Sequence, residues 1–429
     1  MFGFANFLLL ALFAAVVFDL IFALARGGGL RGALHGLWNT PHLLFGQQLA
    51  EWRLQLGRIL FAAGLAAYEI SVVFCNSMAR QNWAWVQGVM SPVLEWLAFL
   101  CFGAKILFGT RYTWRELLAG GALYFIARWV YFNSQNIWWI GIVVAVLAAK
   151  DVSLRRPLQV YFASGCAAMA AVLALHFAGI VAPDLTSERM GALRGTYGYG
   201  HPNTFGGLVF GLVLAYALLR AQKVRWVDCL LVFAVGVFLL VGPASRSAAL
   251  CTLALAIGLV FCRLRAGHSV PRWWPGTCAG MVGLTAAVSY LLPLLVIKVG
   301  PWNNDIGPAW LAKLDSLLTC RISLTWMAYR LLDVKIAGQV FDWPTVDNSF
   351  AFALFQFGPV VAALLGILFA AALWGHAKQG RRVEVCCLFA MLAYAYMEVQ
   401  PFHLTTNPTA LLLCGAVFAQ TSARWQKIE

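Results

Sequence analysis

Apolar runs of about 16–25 residues alternate with short polar breaks along nearly the whole chain, the length a helix needs to cross a bilayer. The pattern predicts spans near 4–25, 59–79, 89–109, 116–133, 136–150, 157–182, 204–220, 225–243, 246–264, 278–298, 350–375, 383–399 and 406–423. In lipid every backbone polar group must be satisfied within the protein, so runs of this kind fold as helices. The expected fold class is therefore all-α, a polytopic transmembrane helical bundle of about 12–13 spans forming one membrane domain over 1–429. The segment 27–50, with Gly27-Gly28-Gly29 and Pro41, reads as an interfacial or re-entrant piece. Residues 1–25 carry no basic leader ahead of their apolar run, which points to a retained first helix rather than a signal peptide.

The polar breaks give an orientation. Arg26 and Arg31, Arg53 and Arg58, Arg111 and Arg115, and Lys150 with Arg155 and Arg156 fall in alternate breaks. So do Arg220, Lys223 and Arg225; Arg263, Arg265 and Arg272; Lys378, Arg381 and Arg382; and Arg424 with Lys427. About 20 of the 31 lysines and arginines thus share one side, which the positive-inside rule makes cytoplasmic. The N-terminus is then outside and the C-terminus inside. Two external loops are long, at about 183–203 and 299–349.

Composition sharpens this picture. The 429 residues are 62% hydrophobic and 11% charged, less than half the charge of a soluble protein of average make-up. A net charge of +14 would suggest a nucleic-acid partner on a soluble domain. Here the cations sit in short clusters between apolar runs, so membrane lipids are the expected surroundings and nucleic acid is excluded. The eleven cysteines lie mostly singly inside apolar runs, with no C-x-x-C and with Cys386-Cys387 adjacent in a span. They read as small buried hydrophobes, and no metal site or cofactor is expected.

Candidate chemistry comes from the cations that defy the orientation bias: Arg189, Arg194, Arg246, Lys298, Lys313, Arg321, Arg330 and Lys335. Arg246 stands in Gly242-Pro243-Ala244-Ser245-Arg246-Ser247, a tight turn between two apolar helices. It either snorkels to the interface or offers its planar fork to an anion such as phosphate. Arg194, Arg246 and Arg321 together would suit a lipid diphosphate head group, whose tail stays in the bilayer.

A second group is Arg194-Gly195-Thr196-Tyr197-Gly198-Tyr199-Gly200-His201-Pro202-Asn203, where Pro202 is placed to open a helix. His201 and Asn203 either serve helix entry or stand beside a sugar or phosphate, with Tyr197 or Tyr199 stacked on a sugar ring. A third group lies in the late loop, where Arg321, Asp333, Asp342 and Asp347 mix with Trp326, Tyr329, Phe341 and Trp343. This is either an amphipathic piece on the bilayer or a carbohydrate surface. Asp347-Asn348-Ser349 either caps the next helix or joins the site, and Glu398, Gln400 and His403 stand at the last external turn.

These residues resemble the polysaccharide polymerase family of the Wzy type, within the O-antigen ligase and polymerase superfamily, nearest its Gram-positive capsule and exopolysaccharide branch. The likeness rests on Arg194 with Gly198-x-Gly200-His201-Pro202-Asn203, Ser245-Arg246-Ser247, Leu314-Asp315-Ser316-Leu317-Leu318-x-x-Arg321, and Val346-Asp347-Asn348-Ser349 followed by Gln356-Phe357-Gly358. It runs from about residue 59 to the C-terminus. It implies a GT-C-like bundle that joins undecaprenyl-diphosphate-linked oligosaccharide repeat units outside the cytoplasmic membrane of a bacterium. The transfer would need no nucleotide sugar or metal, and flippase and chain-length regulator proteins would be partners. The candidate catalytic residues are then His201, Arg246, Arg321, Asp347 and Glu398; the substrate-binding ones are Arg189, Arg194, Tyr197, Tyr199, Asn203, Ser245 and Asn348. His201, Asp347 or Glu398 would be the base, with His201 favoured. An O-antigen-ligase-type transfer is the nearest alternative, lowered because residues 299–349 contain no His. From another class, a lipid-linked sugar transporter or flippase would fit if Glu69, Glu95 and Arg128 lie deep in the bilayer.

Overall fold

A computed structural model describes residues 2–25, 29–45, 50–181, 187–189, 192–297 and 307–418. The described chain is all-α apart from two short antiparallel pairs. Eight helices among the described residues are long and apolar enough to cross a membrane. The class is thus the polytopic helical one. Contacts divide the chain into two compact units.

The first unit comprises 1–128, 139–208 and 410–429. It opens with α1 (Phe2–Ala25), α2 (Gly29–Asn39), β1 (His42–Leu43), α3 (Ala50–Cys75) and α4 (Ala79–Asn82). A π-turn, Val86–Met90, leads into α5 (Ser91–Phe108), then β2 (Arg111–Tyr112) and α6 (Trp114–Ser134). Next come α7 (Ile137–Ala148), α8 (Arg155–Phe177), β3 (Ser187–Arg189), β4 (Ala192–Arg194) and α9 (Pro202–Leu219). Of the piece 27–50, Gly29–Asn39 is helix and His42–Leu43 a strand, anchored where Asp19 accepts from the Phe45 N–H at 3.1 Å and lies 3.4 Å from His42.

One end of this unit gathers breaks that the orientation rule had placed on one side. Arg53 donates to Phe108 O at 2.8 Å and Leu44 O at 2.6 Å, and β1 pairs with β2. Lys105 donates to Thr110 Oγ1 at 2.5 Å and Lys150 O at 2.6 Å. Lys150 donates to Arg111 O at 2.7 Å and pairs with Glu116 at 3.3 Å and Asp151 at 3.6 Å. At the other end, Met78 N–H bonds Gly198 O at 2.8 Å and Ser77 bridges Tyr199. The alternation of breaks is real within the unit.

The second unit comprises 129–138 and 209–409. Its helices are the remainder of α9, then α10 (Trp226–Val241), α11 (Arg246–Leu264), α12 (Trp274–Leu291), α13 (Ala309–Leu317) and α14 (Arg321–Leu331). After these come α15 (Ser349–Phe352), α16 (Pro359–Lys378) and α17 (Arg382–Met397). Its two ends also alternate: Arg382 donates to Arg265 O at one, while Arg321 meets Glu398 and Ser247 at the other.

Several expected spans differ: α10 and α17, at 16 residues each, fall outside the eight membrane-length helices, and three others depart further. The run 350–375 is broken, because a π-turn at Ala353–Phe357 ends on Gly358, at φ 87°, before Pro359 starts α16. A Cβ on Gly358 would overlap the Ile336 carbonyl, so only glycine fits this approach. The run 406–423 begins as a 3₁₀ turn, Pro408–Leu413, continued by α18 (Cys414–Val417), too short to cross alone. The helix α7 has 12 residues, about 18 Å, also short of a bilayer core. Arg26, Lys298, Arg424 and Lys427 lie outside the described residues, as does the side chain of Arg189.

Candidate functional site

The second unit concentrates the chemistry. Thr319 and Cys320, at φ 63° and 62°, reverse the chain after α13. Two successive left-handed residues are costly, roughly 1–2 kcal/mol each. Asp315 compensates: Oδ1 accepts from Ile322 and Ser323 N–H at 2.8 and 3.1 Å, and Oδ2 from the Ser323 hydroxyl at 2.8 Å. This turn makes Arg321 the first residue of α14 and points it inward, at 7% exposure. Arg321 Nη2 meets Glu398 Oε1 at 2.6 Å and Ser247 Oγ at 3.4 Å; Nη1 donates to Leu318 O at 2.8 Å and Nε to Met397 O. Arg321 is thus a well-engaged anchor for Glu398 rather than an open fork for phosphate.

Glu398 follows the last residue of α17 in extended conformation, at 5% exposure. Ser349 Oγ donates to its carbonyl at 2.6 Å. Burial pushes the Glu398 carboxyl up to about 7, against the Arg321 guanidinium that draws it down; Asp347 adds to the rise. A carboxyl placed there exchanges protons near neutral pH.

The Ser245-Arg246-Ser247 turn sits against the pair. Gly242 N–H closes α10 on Phe238 O, Ala244 adopts φ 50°, and the Ser245 carbonyl accepts from Ala249 to open α11. Ser247 faces Arg321, while Arg246 is exposed beside it. Ser245 is buried, and its hydroxyl has no hydrogen-bond partner among the described residues. Asn348 is the cap of α15: Oδ1 accepts from Phe350 and Ala351 N–H, and Nδ2 donates to Ser289 Oγ and Tyr396 O, each at 3.1 Å. With both ends of its amide used, Asn348 positions the stretch of chain that leads into α15. Asp347 next to it is half-buried. His403 stacks on Trp138, ring centroids 3.7 Å apart, and burial pushes it down to about 3, so it is neutral at ordinary pH. Gln400 accepts from Tyr394 OH at 2.6 Å.

The first unit holds the other expected residues. Arg194, at 6% exposure, donates through Nη2 to Asn203 Oδ1 at 2.9 Å. His201 Nδ1 accepts from the Asn203 N–H at 3.1 Å as α9 opens at Pro202, so its helix-entry role is the one observed. Tyr197 stacks on Phe205 with centroids 5.0 Å apart. Tyr199 differs from expectation: it is fully buried against Phe205, not displayed for a sugar. Arg194 and His201 belong to one unit and Arg246, Arg321 and Glu398 to the other. Glu69 lies inside α3 at 2% exposure, and Arg128 donates to Asn6 Oδ1 at 2.9 Å. Asp315 is the residue that sequence reasoning did not single out as functional. Its only signal was its place six residues before Arg321.

Comparison with known proteins returns no matching family model, no matching curated relative and no matching solved structure. The class that fold and site define is a multi-pass helical membrane protein with a buried arginine–glutamate pair at one end of its second unit.

Proposed function

We propose that the chain is a GT-C-like membrane glycosyltransferase, joining polyprenyl-diphosphate-linked oligosaccharide units at the extracytoplasmic end of its bundle. The observation that carries this reading is the buried Arg321–Glu398 pair with exposed Arg246 beside it. Glu398, held by Arg321 and lifted towards neutral pH by burial, takes the proton from an acceptor hydroxyl. The oxygen attacks the anomeric carbon of the donor, whose bond to the lipid diphosphate breaks with inversion. Negative charge grows on the leaving diphosphate, where Arg246 offers a preorganised guanidinium. Glu398 thus takes the base role first favoured for His201, whose Nδ1 serves the helix entry.

The test uses purified protein in vesicles with a synthetic lipid-diphosphate repeat unit and no nucleotide sugar. A ladder of products supports the polymerase, and a single addition to a different acceptor supports ligase-type transfer. Arg246→Ala should leave single lipid-linked units, and wild-type polymer length in that variant removes Arg246 from the mechanism. Transport is the second reading, favoured by Glu69 buried in a membrane-length helix. Movement of intact substrate across the vesicle with no ladder would support it.

A further inference from the structure

At the end of the second unit away from Arg321 and Glu398, two thiols touch: Cys262 Sγ and Cys386 Sγ are 3.5 Å apart. Cys262 lies in the last turn of α11 and Cys386 in the first turns of α17. Their sequence positions are 124 residues apart, so nothing in the chain's local pattern announces the pair. The backbone is shaped for the contact. Gly258, one turn before Cys262, faces Cys386; a Cβ there would stand 3.1 Å from Cys386 Sγ and 3.3 Å from its Cβ. Even a methyl there would require Cys386 to give by a few tenths of an ångström at the point where it reaches Cys262, and a branched side chain would crowd it further. Arg382 fixes the same end by donating to Arg265 O at 2.6 Å and to His268 O. The two thiols also differ in access, Cys262 being buried and Cys386 half-buried.

We propose that Cys262 and Cys386 form a redox-active dithiol, oxidised to an intramolecular disulfide by small-molecule disulfides. The Cys386 thiolate attacks one sulfur of the oxidant, forming a mixed disulfide and releasing one small thiol. The Cys262 thiolate then attacks Cys386 Sγ, the Cys262–Cys386 bond forms, and a second small thiol leaves. Two protein thiols are oxidised, the external disulfide is reduced to two thiols, and the two thiol protons leave with them. Forming the bond contracts the gap from 3.5 Å to about 2.05 Å. The bond would tie α11 to α17, whose far ends carry Ser247 and Glu398. The dithiol itself does not depend on the glycosyl-transfer reading.

The full chain in lipid vesicles is treated with dithiodipyridine, and cysteine peptides are mapped by mass. In the wild type the peptides of Cys262 and Cys386 should be joined and free of thiopyridyl adduct. Cys262→Ser should strand the adduct on Cys386, and Gly258→Val should lose the cross-link while Cys386 still reacts. A wild type that keeps the adduct on Cys386 beside a free Cys262, or leaves both thiols unreacted, overturns the proposal. The comparison of wild type with Cys262→Ser decides the matter even where the valine variant fails to fold.

Discussion

Two buried charge clusters, one in each unit, differ in how completely their surroundings enclose them. In the first unit, Lys150 lies between Glu116 and Asp151, donates to the Arg111 carbonyl, and sits under the rings of Tyr112 and Phe418 at 5.5 and 5.6 Å. Lys105 beside it spends its donors on a hydroxyl and a carbonyl. One cation faces two carboxylates, and the aromatic rings cover it. In the second unit, Arg321 meets a single buried carboxylate, and the flanking charges, Arg246 and Asp347, are exposed and half-buried. The first cluster is closed. The second is anchored by Arg321 and flanked by an exposed Arg246 and a half-buried Asp347, so a buried ion pair is informative about function only when its surroundings are read with it.

That contrast can be broken by substitution. Lys150→Ala should have the largest effect, leaving two largely buried carboxylates without their cation at about 3–5 kcal/mol. Thermal unfolding in detergent should show a clear fall in midpoint, and an unchanged midpoint would contradict the closed-cluster reading. Glu398→Gln keeps the shape of its side chain and should slow transfer by about 10²–10⁴ with the helical signal retained. Arg246→Ala should lower transfer by about 10²–10³ with a smaller change in midpoint than Lys150→Ala, because its side chain is exposed. Asn348→Ala should be smallest, at about 1 kcal/mol of stability for the lost cap, with a partial loss of rate as the chain beside Glu398 loosens.

A pH scan sharpens the comparison further. The folded carboxyl of Glu398 stands near 7 against an ordinary 4.5, so folding favours its protonated form. Its contribution to stability is therefore fully present below 4.5 and is lost as pH rises through about 7. The midpoint of the wild type should fall over that interval relative to Glu398→Gln. Equal slopes would place the carboxyl in a more ordinary environment.

The length and hydrophobicity of α3, α8, α11 and α12 were legible in the apolar runs, and so was the alternation of basic breaks, which meet at common ends within each unit. The π-turn before Gly358 and the 3₁₀ turn at Pro408–Leu413 were not, because hydropathy measures apolar content and is blind to which backbone bonds close. Arg246, Arg321 and Glu398 stood out as charges in unexpected places. Their division of labour did not, since it depends on Asp315 capping a left-handed turn and on Ser349 holding the Glu398 carbonyl. Tyr199 shows the converse: an aromatic in a glycine-rich loop suggested display, while packing on Phe205 buries it.

The rate of ladder growth from a lipid-diphosphate repeat unit, followed from acid to alkaline pH in wild type and Glu398→Gln, tests the central assignment most directly. Glu398 acting as base predicts a wild-type rate that falls as pH drops through about 7, and a slow variant lacking that limb. A Glu398→Gln variant matching the wild type in both rate and pH profile would contradict it.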